Sequence, residues 1–323
     1  MPLISNSSYD NHPFYIKNGH FETIIPSFLR EIKGVEYSRE RINTPDDDFL
    51  DLDWLKAGND KLIILSHGLE GSSDRHYVKS MAKYFHLQGW DVLAWNYRSC
   101  SGEINRALRM YHHGVTDDYD TMIQHALKSN VYKKVVLSGF SMGGSTTLKY
   151  LGEQGSTIDP RIKAAAVFSV PCNLWDSALQ LKKSENRFYR KRFLRKMLQK
   201  IKLKAEIYPN QINIEGVDKI KTFAEFDERF TAPLHGFKDA EDFYSSSTSD
   251  QFYHNIKIPT LIVNAKNDPM LGNKCYPFDV AAAHPFLHLE IPKHGGHVGF
   301  SLKRKKYSWM DVRAYEFLNQ FIG

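Results

Sequence analysis

Gly139-Phe140-Ser141-Met142-Gly143 fits the pattern G-x-S-x-G, directly after the apolar run Lys134–Leu137 and directly before a helical stretch. The spacing has a steric reason. A strand that reverses sharply into a helix forces the serine into strained backbone, which lifts its hydroxyl clear of the sheet. Glycines two residues to either side remove side chains that would collide there. The Met142 N–H then begins a helix, where it can donate to an oxyanion forming on a bound carbonyl. The bland reading is a Gly/Ser turn. The place of the pentapeptide, at the end of the fifth strand-like run, favours a nucleophile instead.

A serine hydroxyl is a weak nucleophile at neutral pH, so it needs a base, and the base needs an orienting acid. On such an elbow the partners follow in the order serine, acid, histidine. Asp268, in Lys266-Asn267-Asp268-Pro269, comes just after the run Thr260–Ala265. His297, in Pro292-Lys293-His294-Gly295-Gly296-His297, comes after Leu287–Ile291. Alone, the first reads as a turn residue before proline and the second as a loop histidine. As an ordered set, each past its own strand, they read as orienting acid and base. His294 is the rival base; His297 is preferred because two glycines before it let the loop approach the nucleophile. His67-Gly68-Leu69-Glu70-Gly71 follows Lys61–Ser66. There the Leu69 N–H is the expected second oxyanion donor, with His67 supporting the loop.

The elements that must hold these residues are short β-branched runs alternating with helical stretches. Val35–Asn43 and Phe49–Leu55 flank the turn-rich Thr44–Asp48 and suggest an antiparallel pair. Lys61–Ser66, Asp91–Tyr97, Lys134–Phe140, Ala164–Val170, Thr260–Ala265 and Leu287–Ile291 follow, several of them apolar without alternation. That is the signature of strands covered on both faces. Helices are expected over Asp74–Leu87 with Asp74 as N-cap and Gly89 just past the end, and over Asp117–Lys128, Met142–Leu151 and Trp309–Phe321. Such alternation implies a mainly parallel sheet. About 90 residues separate Val170 from Thr260, too many for a structureless loop, so a helical cap is inserted there.

The chain's 323 residues suffice for one large α/β domain with such an insertion. No apolar run is long enough to span a bilayer, and MPLISNSSYDNHPF does not read as a signal peptide. Cys100, Cys172 and Cys275 fit neither a disulfide framework nor a zinc site, which points to buried thiols and a reducing cytoplasm. The net charge of +6 is concentrated. Lys182–Lys204 holds eleven Lys or Arg against Glu185 alone, leaving the remainder net acidic. A basic surface for nucleic acid is therefore not expected. Phe193, Met197 and Ile201, flanked by Leu194 and Leu198, put an apolar stripe on this basic helix. Its charged face reads first as solvated surface and second as a peripheral contact with an anionic lipid surface.

The chain resembles one branch of the α/β-hydrolases. That branch includes bacterial esterases, plant embryogenesis-associated proteins, abhydrolase-domain lipases and yeast medium-chain ethyl-ester synthases/esterases. The matches are Asn18-Gly19-His20 with Thr23, HGLEGSS at 67–73, CSGE-N at 100–105, YHHG with TDD at 111–118 and GFSMGG at 139–144. KYLGE at 149–153, FDERFTAP at 226–233, Tyr-Ser-Ser at 244–246, NDP at 267–269 and HGGHVGF at 294–300 complete the series. Two positions depart from the branch: Ser99 stands where glycine usually precedes the cysteine, and Asn267 where the acid usually follows another Asp.

The resemblance implies an α/β-hydrolase fold, the triad Ser141, Asp268 and His297, and an acyl-ester substrate. Together the readings give about eight strands, with residues 1–170 and 256–323 as core and 171–255 as a cap inserted after the sixth. Trp175, Phe188, Phe193, Phe223, Phe226 and Phe230 are candidates to line an acyl pocket. Hydrolysis of carboxylic esters is the leading activity. Acyl transfer to an alcohol and a catalytically silent binding protein are the alternatives. His112-His113 reads as loop and there is no glycine-rich nucleotide motif, so neither metal nor cofactor is expected.

Overall fold

The computed structural model describes residues 3–10, 13 and 18–322. Among these residues, nine strands form one sheet: β1 (Leu3–Ile4), β2 (Ser38–Asn43), β3 (Phe49–Leu55), β4 (Lys61–Ser66), β5 (Asp91–Asn96), β6 (Lys134–Phe140), β7 (Ile162–Phe168), β8 (Thr260–Val263) and β9 (Leu287–Glu290). Their spatial order is β1-β9-β8-β7-β6-β4-β5-β3-β2. All pairings are parallel except β2–β3 and β3–β5. The expected eight strands are all present. The ninth, β1, is a two-residue strand on the β9 edge, too short to show any periodicity.

Apolar residues on both faces of the central strands β4 to β8 build two cores. In β4, Leu62 and Ile64 join one hydrophobic cluster while Ile63 and Leu65 join another; in β8, Ile262 parts from Leu261 and Val263 in the same way. Alternate side chains point to opposite faces, so an unbroken apolar run means cover on both sides. The antiparallel end is polar but matched. Asp51 and Asp53 of β3 lie opposite Arg41 and Arg39 of β2, each bound through a two-pronged guanidinium contact.

The helices are α1 (Gly19–Leu29), α2 (His76–Leu87), α3 (Asp117–Lys128), α4 (Met142–Gln154), α5 (Leu174–Lys182), α6 (Arg187–Ile207), α7 (Phe223–Phe226), α8 (Ala232–His235), α9 (Ala240–Ser247), α10 (Phe278–Ala283) and α11 (Trp309–Leu318). Asp74 is not the cap of α2; Arg75 occupies that position, and Asp74 instead pairs with Lys79 at 2.6 Å. The run Ala164–Val170 ends as strand at Phe168, because Ser169 turns to a φ of 53°. Among the described residues no helix is long and apolar enough to cross a membrane. All three cysteines are free and buried.

Helices α5 to α9 fall between β7 and β8 and share an apolar cluster with Met110, in which Leu194 and Ile201 join Phe223, Phe226 and Phe230. The charged face of α6 is only partly the solvated surface expected. Lys196, Lys200 and Lys204, one turn apart, reach down to the sheet side. Lys196 donates to the Glu70 carbonyl at 3.1 Å, and Lys200 pairs with the Glu70 carboxylate at 2.9 Å. Lys204 is fully buried and donates to the carbonyls of Asn105 and Ala107. The aliphatic stems pack while the ammonium ends find acceptors, which a count of apolar spacing does not register.

Candidate active site

The strand order reverses around β4. The chain goes from β4 to β5 on one side, then crosses to β6 on the other. In open α/β sheets a crevice opens outside the carboxyl ends at such a point. Loops after β4 and β6 border it, carrying Gly68–Glu70 and Ser141.

Ser141 sits at φ 54° and ψ −119°, a strained conformation between β6 and α4. A β-carbon on Gly139 would lie 2.3 Å from the Gly143 carbonyl oxygen, and one on Gly143 would lie 2.3 Å from that of Ser66. Only glycine fits at either place, so the steric argument for the motif holds in three dimensions. A β-carbon on Gly68 would be 3.2 Å from that of Ser141, which measures how closely the two loops approach.

The structure brings the three separated side chains together. His297 Nε2 is 2.9 Å from Ser141 Oγ, and its Nδ1 is 2.8 Å from Asp268 Oδ2. With Nδ1–H given to the carboxylate, Nε2 is left to accept the serine proton. The other Asp268 oxygen accepts the Met270 N–H at 2.9 Å, so both carboxylate oxygens are fixed. His294 faces Glu22 and Asn267, each at 3.5 Å, while His297 makes the contacts to Ser141 and Asp268.

Leu69 lines both cavities with Ser141, and Met142 follows the serine directly. Among the described residues nothing accepts from the Leu69 N–H. Met142 opens α4, where an N–H has no partner within the helix. His67 is buried, receives the Tyr97 N–H on Nε2 at 3.3 Å and contacts the Gly68 carbonyl through Nδ1 at 2.8 Å. Burial pushes it down to about 3, so it stays neutral and pins the loop.

Sequence reasoning gave no role to Glu22. It is buried on α1, and its Oε2 accepts from Asn267 Nδ2 at 2.7 Å and from the Gly295 N–H at 2.8 Å. Beside it, Thr23 Oγ1 accepts the His297 N–H at 2.8 Å. Asn267 Oδ1 in turn accepts the Gly296 N–H at 3.1 Å. Asn267 is thus both donor and acceptor, where a second aspartate would face the Glu22 carboxylate. The signal was the motif Asn18-Gly19-His20 with Thr23, whose contacts lie far away in sequence. Ser99 also finds its reason: it holds a φ of 60°, suited to glycine, and its Oγ bonds the Asn105 side chain at 2.6 Å.

Two cavities meet at Ser141 and His297. One is narrow, with about 90 Å³ of free space, and mostly apolar; Leu181, Phe193, Met197, Phe223, Phe226 and Phe230 line it. Phe188 lines the other cavity, and Trp175 stands on the surface against Tyr244. A five-residue π-turn, Asp227–Thr231, lies between α7 and α8 and places the Phe226 and Phe230 rings 5.4 Å apart. Asp227 is buried there, and burial lifts it to about 6 although Thr231 and Tyr244 donate to it.

A serine, a histidine and an aspartate in one relay at a sheet crevice are the arrangement of a serine hydrolase. The α/β hydrolase fold family matches residues 61–303, and the chain belongs to that family. It is a hydrolase of the esterase and lipase type. YheT of Escherichia coli, a candidate esterase, is 29% identical over 314 residues, covering 94% of this chain and 91% of its own. The mouse phospholipase ABHD3 is 29% identical over 333 residues, covering 99% of this chain and 80% of its own. The esterase Pf2001 of Pyrococcus furiosus superposes with a TM-score of 0.59 at 18% identity, covering 91% of this chain and 99% of its own. That last likeness shows the fold alone.

Proposed function

We propose that the chain cleaves carboxylic esters of short- to medium-chain or lipid-like acyl groups through an acyl-enzyme on Ser141. The observation that carries this reading is the relay from Asp268 through His297 to Ser141, opening onto an apolar cavity. Ser141 Oγ attacks the ester carbonyl as His297 Nε2 takes its proton. The Leu69 and Met142 N–H groups hold the oxyanion. His297 then returns the proton to the leaving alcohol, and water activated by the same imidazole releases the acid. Asp268 keeps the tautomer and stabilises the imidazolium. A chain-length series of p-nitrophenyl esters tests this, with a fluorophosphonate probe as a second readout. Activity is expected to peak near eight carbons, with labelling lost in Ser141→Ala. A maximum at two carbons would count against a lipid-like acyl group, and equal labelling of Ser141→Ala would sink the mechanism.

We further propose that the substrate is met at an anionic lipid surface. Phe28 and Leu29 at the end of α1 are 61% and 78% exposed, and the Arg192 guanidinium of α6 lies 5.0 Å from the Phe28 ring. Apolar groups beside cations suit an interface of acyl chains and anionic headgroups. Vesicle binding is expected to weaken with added salt; salt-independent binding would refute it.

A further inference from the structure

The second cavity meets the first at Ser141 and His297 but has a different lining. It is broad, about 440 Å³, and its wall carries both acids and bases. Every acid there already has a base. Glu31 is 3.7 Å from Lys33, Asp74 is 2.6 Å from Lys79, and Glu70 is 2.9 Å from Lys200. Arg30 is likewise occupied, donating to Ser80 and the Lys306 carbonyl near Asp311.

Three cations are left over. Among the described residues, Arg75, Arg192 and Lys196 make no ion pair within 4.0 Å. Arg75 and Lys196 converge on one neutral acceptor, the Glu70 carbonyl, at 2.7 and 3.1 Å. That carbonyl is one residue past Leu69, and Arg192 is one turn before Lys196 on α6. A single carbonyl cannot neutralise two cations, and both keep further N–H donors. Burial lowers Arg192 and Lys196, and the nearness of Arg75 lowers both further. Like charges gathered beside a nucleophile without a matching acid cost stability unless a ligand supplies the anion.

Resting on the ester-hydrolase reading above, we propose that this cavity takes the alcohol part of the substrate and that this part carries an anion, phosphate or carboxylate, held by Arg75, Arg192 and Lys196. The narrow apolar cavity then holds the acyl chain, and the scissile carbonyl lies where the two meet. His297 lines both cavities and so faces the leaving oxygen. Guanidinium groups bind either anion through two parallel hydrogen bonds, and the lysine adds a point charge.

The test compares kcat/KM for three octanoyl esters: 1-octanoylglycerol, 1-octanoylglycerol 3-phosphate and the octanoyl ester of 3-hydroxypropanoate. At least one anionic ester is expected to exceed the neutral one by roughly tenfold or more at low salt. Which of the two leads tells phosphate from carboxylate. In Arg192→Gln/Lys196→Gln the anionic-to-neutral ratio should collapse toward one, whereas Lys202→Gln, whose ammonium pairs with Asp218 on the outer side, should keep it. Glycerol 3-phosphate or 3-hydroxypropanoate should inhibit competitively in the wild type and less in the double variant. Hydrolysis of the neutral ester with no preference for either anion overturns the proposal while leaving the hydrolase intact. A ratio unchanged in the double variant overturns the assignment of these residues. Failure on all three esters, with no fluorophosphonate labelling, overturns the hydrolase reading itself.

Discussion

The loops at the rim of the sheet and the long helix α6 laid over them treat charge in different ways. At the rim, most polar side chains are matched. Asp268 is held on both oxygens, and Glu22 binds Asn267 and Gly295. Arg98, fully buried, is ringed by Asp46, Asp48 and Asp118 at 2.6–2.9 Å. On α6 the inner row is split. Lys200 meets the Glu70 carboxylate and Lys204 two carbonyls, while Lys196 shares one carbonyl with Arg75 and Arg192 makes no ion pair among the described residues. Closed polar networks fix geometry, which a proton relay requires. Open ones leave energy for a ligand to recover, at the cost of some stability in the empty state.

The sharpest way to test the rim is to leave its shape intact and spoil one proton. Asp268→Asn keeps the size of the side chain, but its amide cannot stabilise the imidazolium and favours the wrong tautomer. Ester hydrolysis should fall by about 10⁴-fold in kcat with the unfolding midpoint little changed. A loss of less than about tenfold would mean that Asp268 orients nothing that matters.

Legibility in the sequence followed the same division. Ser141, Asp268 and His297 each lie in a short motif just past a strand, and a strained elbow has few sequence solutions, so both place and spacing were readable. Glu22 and Thr23 were not, because they act on loops some 245 to 274 residues away. The inner lysines of α6 were missed for another reason. Periodicity counts every lysine as polar, and only packing tells an ammonium at a buried carbonyl from one in water.

Acid should destabilise the fold. His67 is held neutral with its folded value lowered to about 3, so its contribution to stability is complete above the ordinary histidine value and is lost as pH falls. Between pH 6.5 and 5 it should cost about 2 kcal/mol. His76 and His113, lowered to about 4, act in the same direction with less weight because they are partly exposed. Asp227, raised to about 6, acts oppositely, binding its proton more tightly when folded. A net loss of about 3 kcal/mol by pH 5 is expected from urea unfolding. Stability that is flat or rises over this range would contradict the neutral buried imidazoles.

The two matched lysines of α6 separate the kinds of partner. Lys200→Met leaves the Glu70 carboxylate, which is 4% exposed, with the Tyr111 hydroxyl as its remaining side-chain partner. A buried charge stripped of its counter-charge should cost about 3 kcal/mol of unfolding free energy. Lys204→Met has a smaller effect for a definite reason. Its acceptors are the neutral carbonyls of Asn105 and Ala107, and Ala107 also receives the Asn105 side-chain amide at 3.1 Å. Burial already disfavours the ammonium, lowering it to about 8, so methionine also removes a desolvation penalty, which offsets part of the lost contacts. The difference should leave a loss of about 1 kcal/mol, read from urea unfolding at neutral pH. A cost for Lys204→Met equal to or above that for Lys200→Met would mean that α6 is held by its carbonyl contacts rather than by its one buried ion pair. The contrast between matched and unmatched cations would then lose its energetic basis.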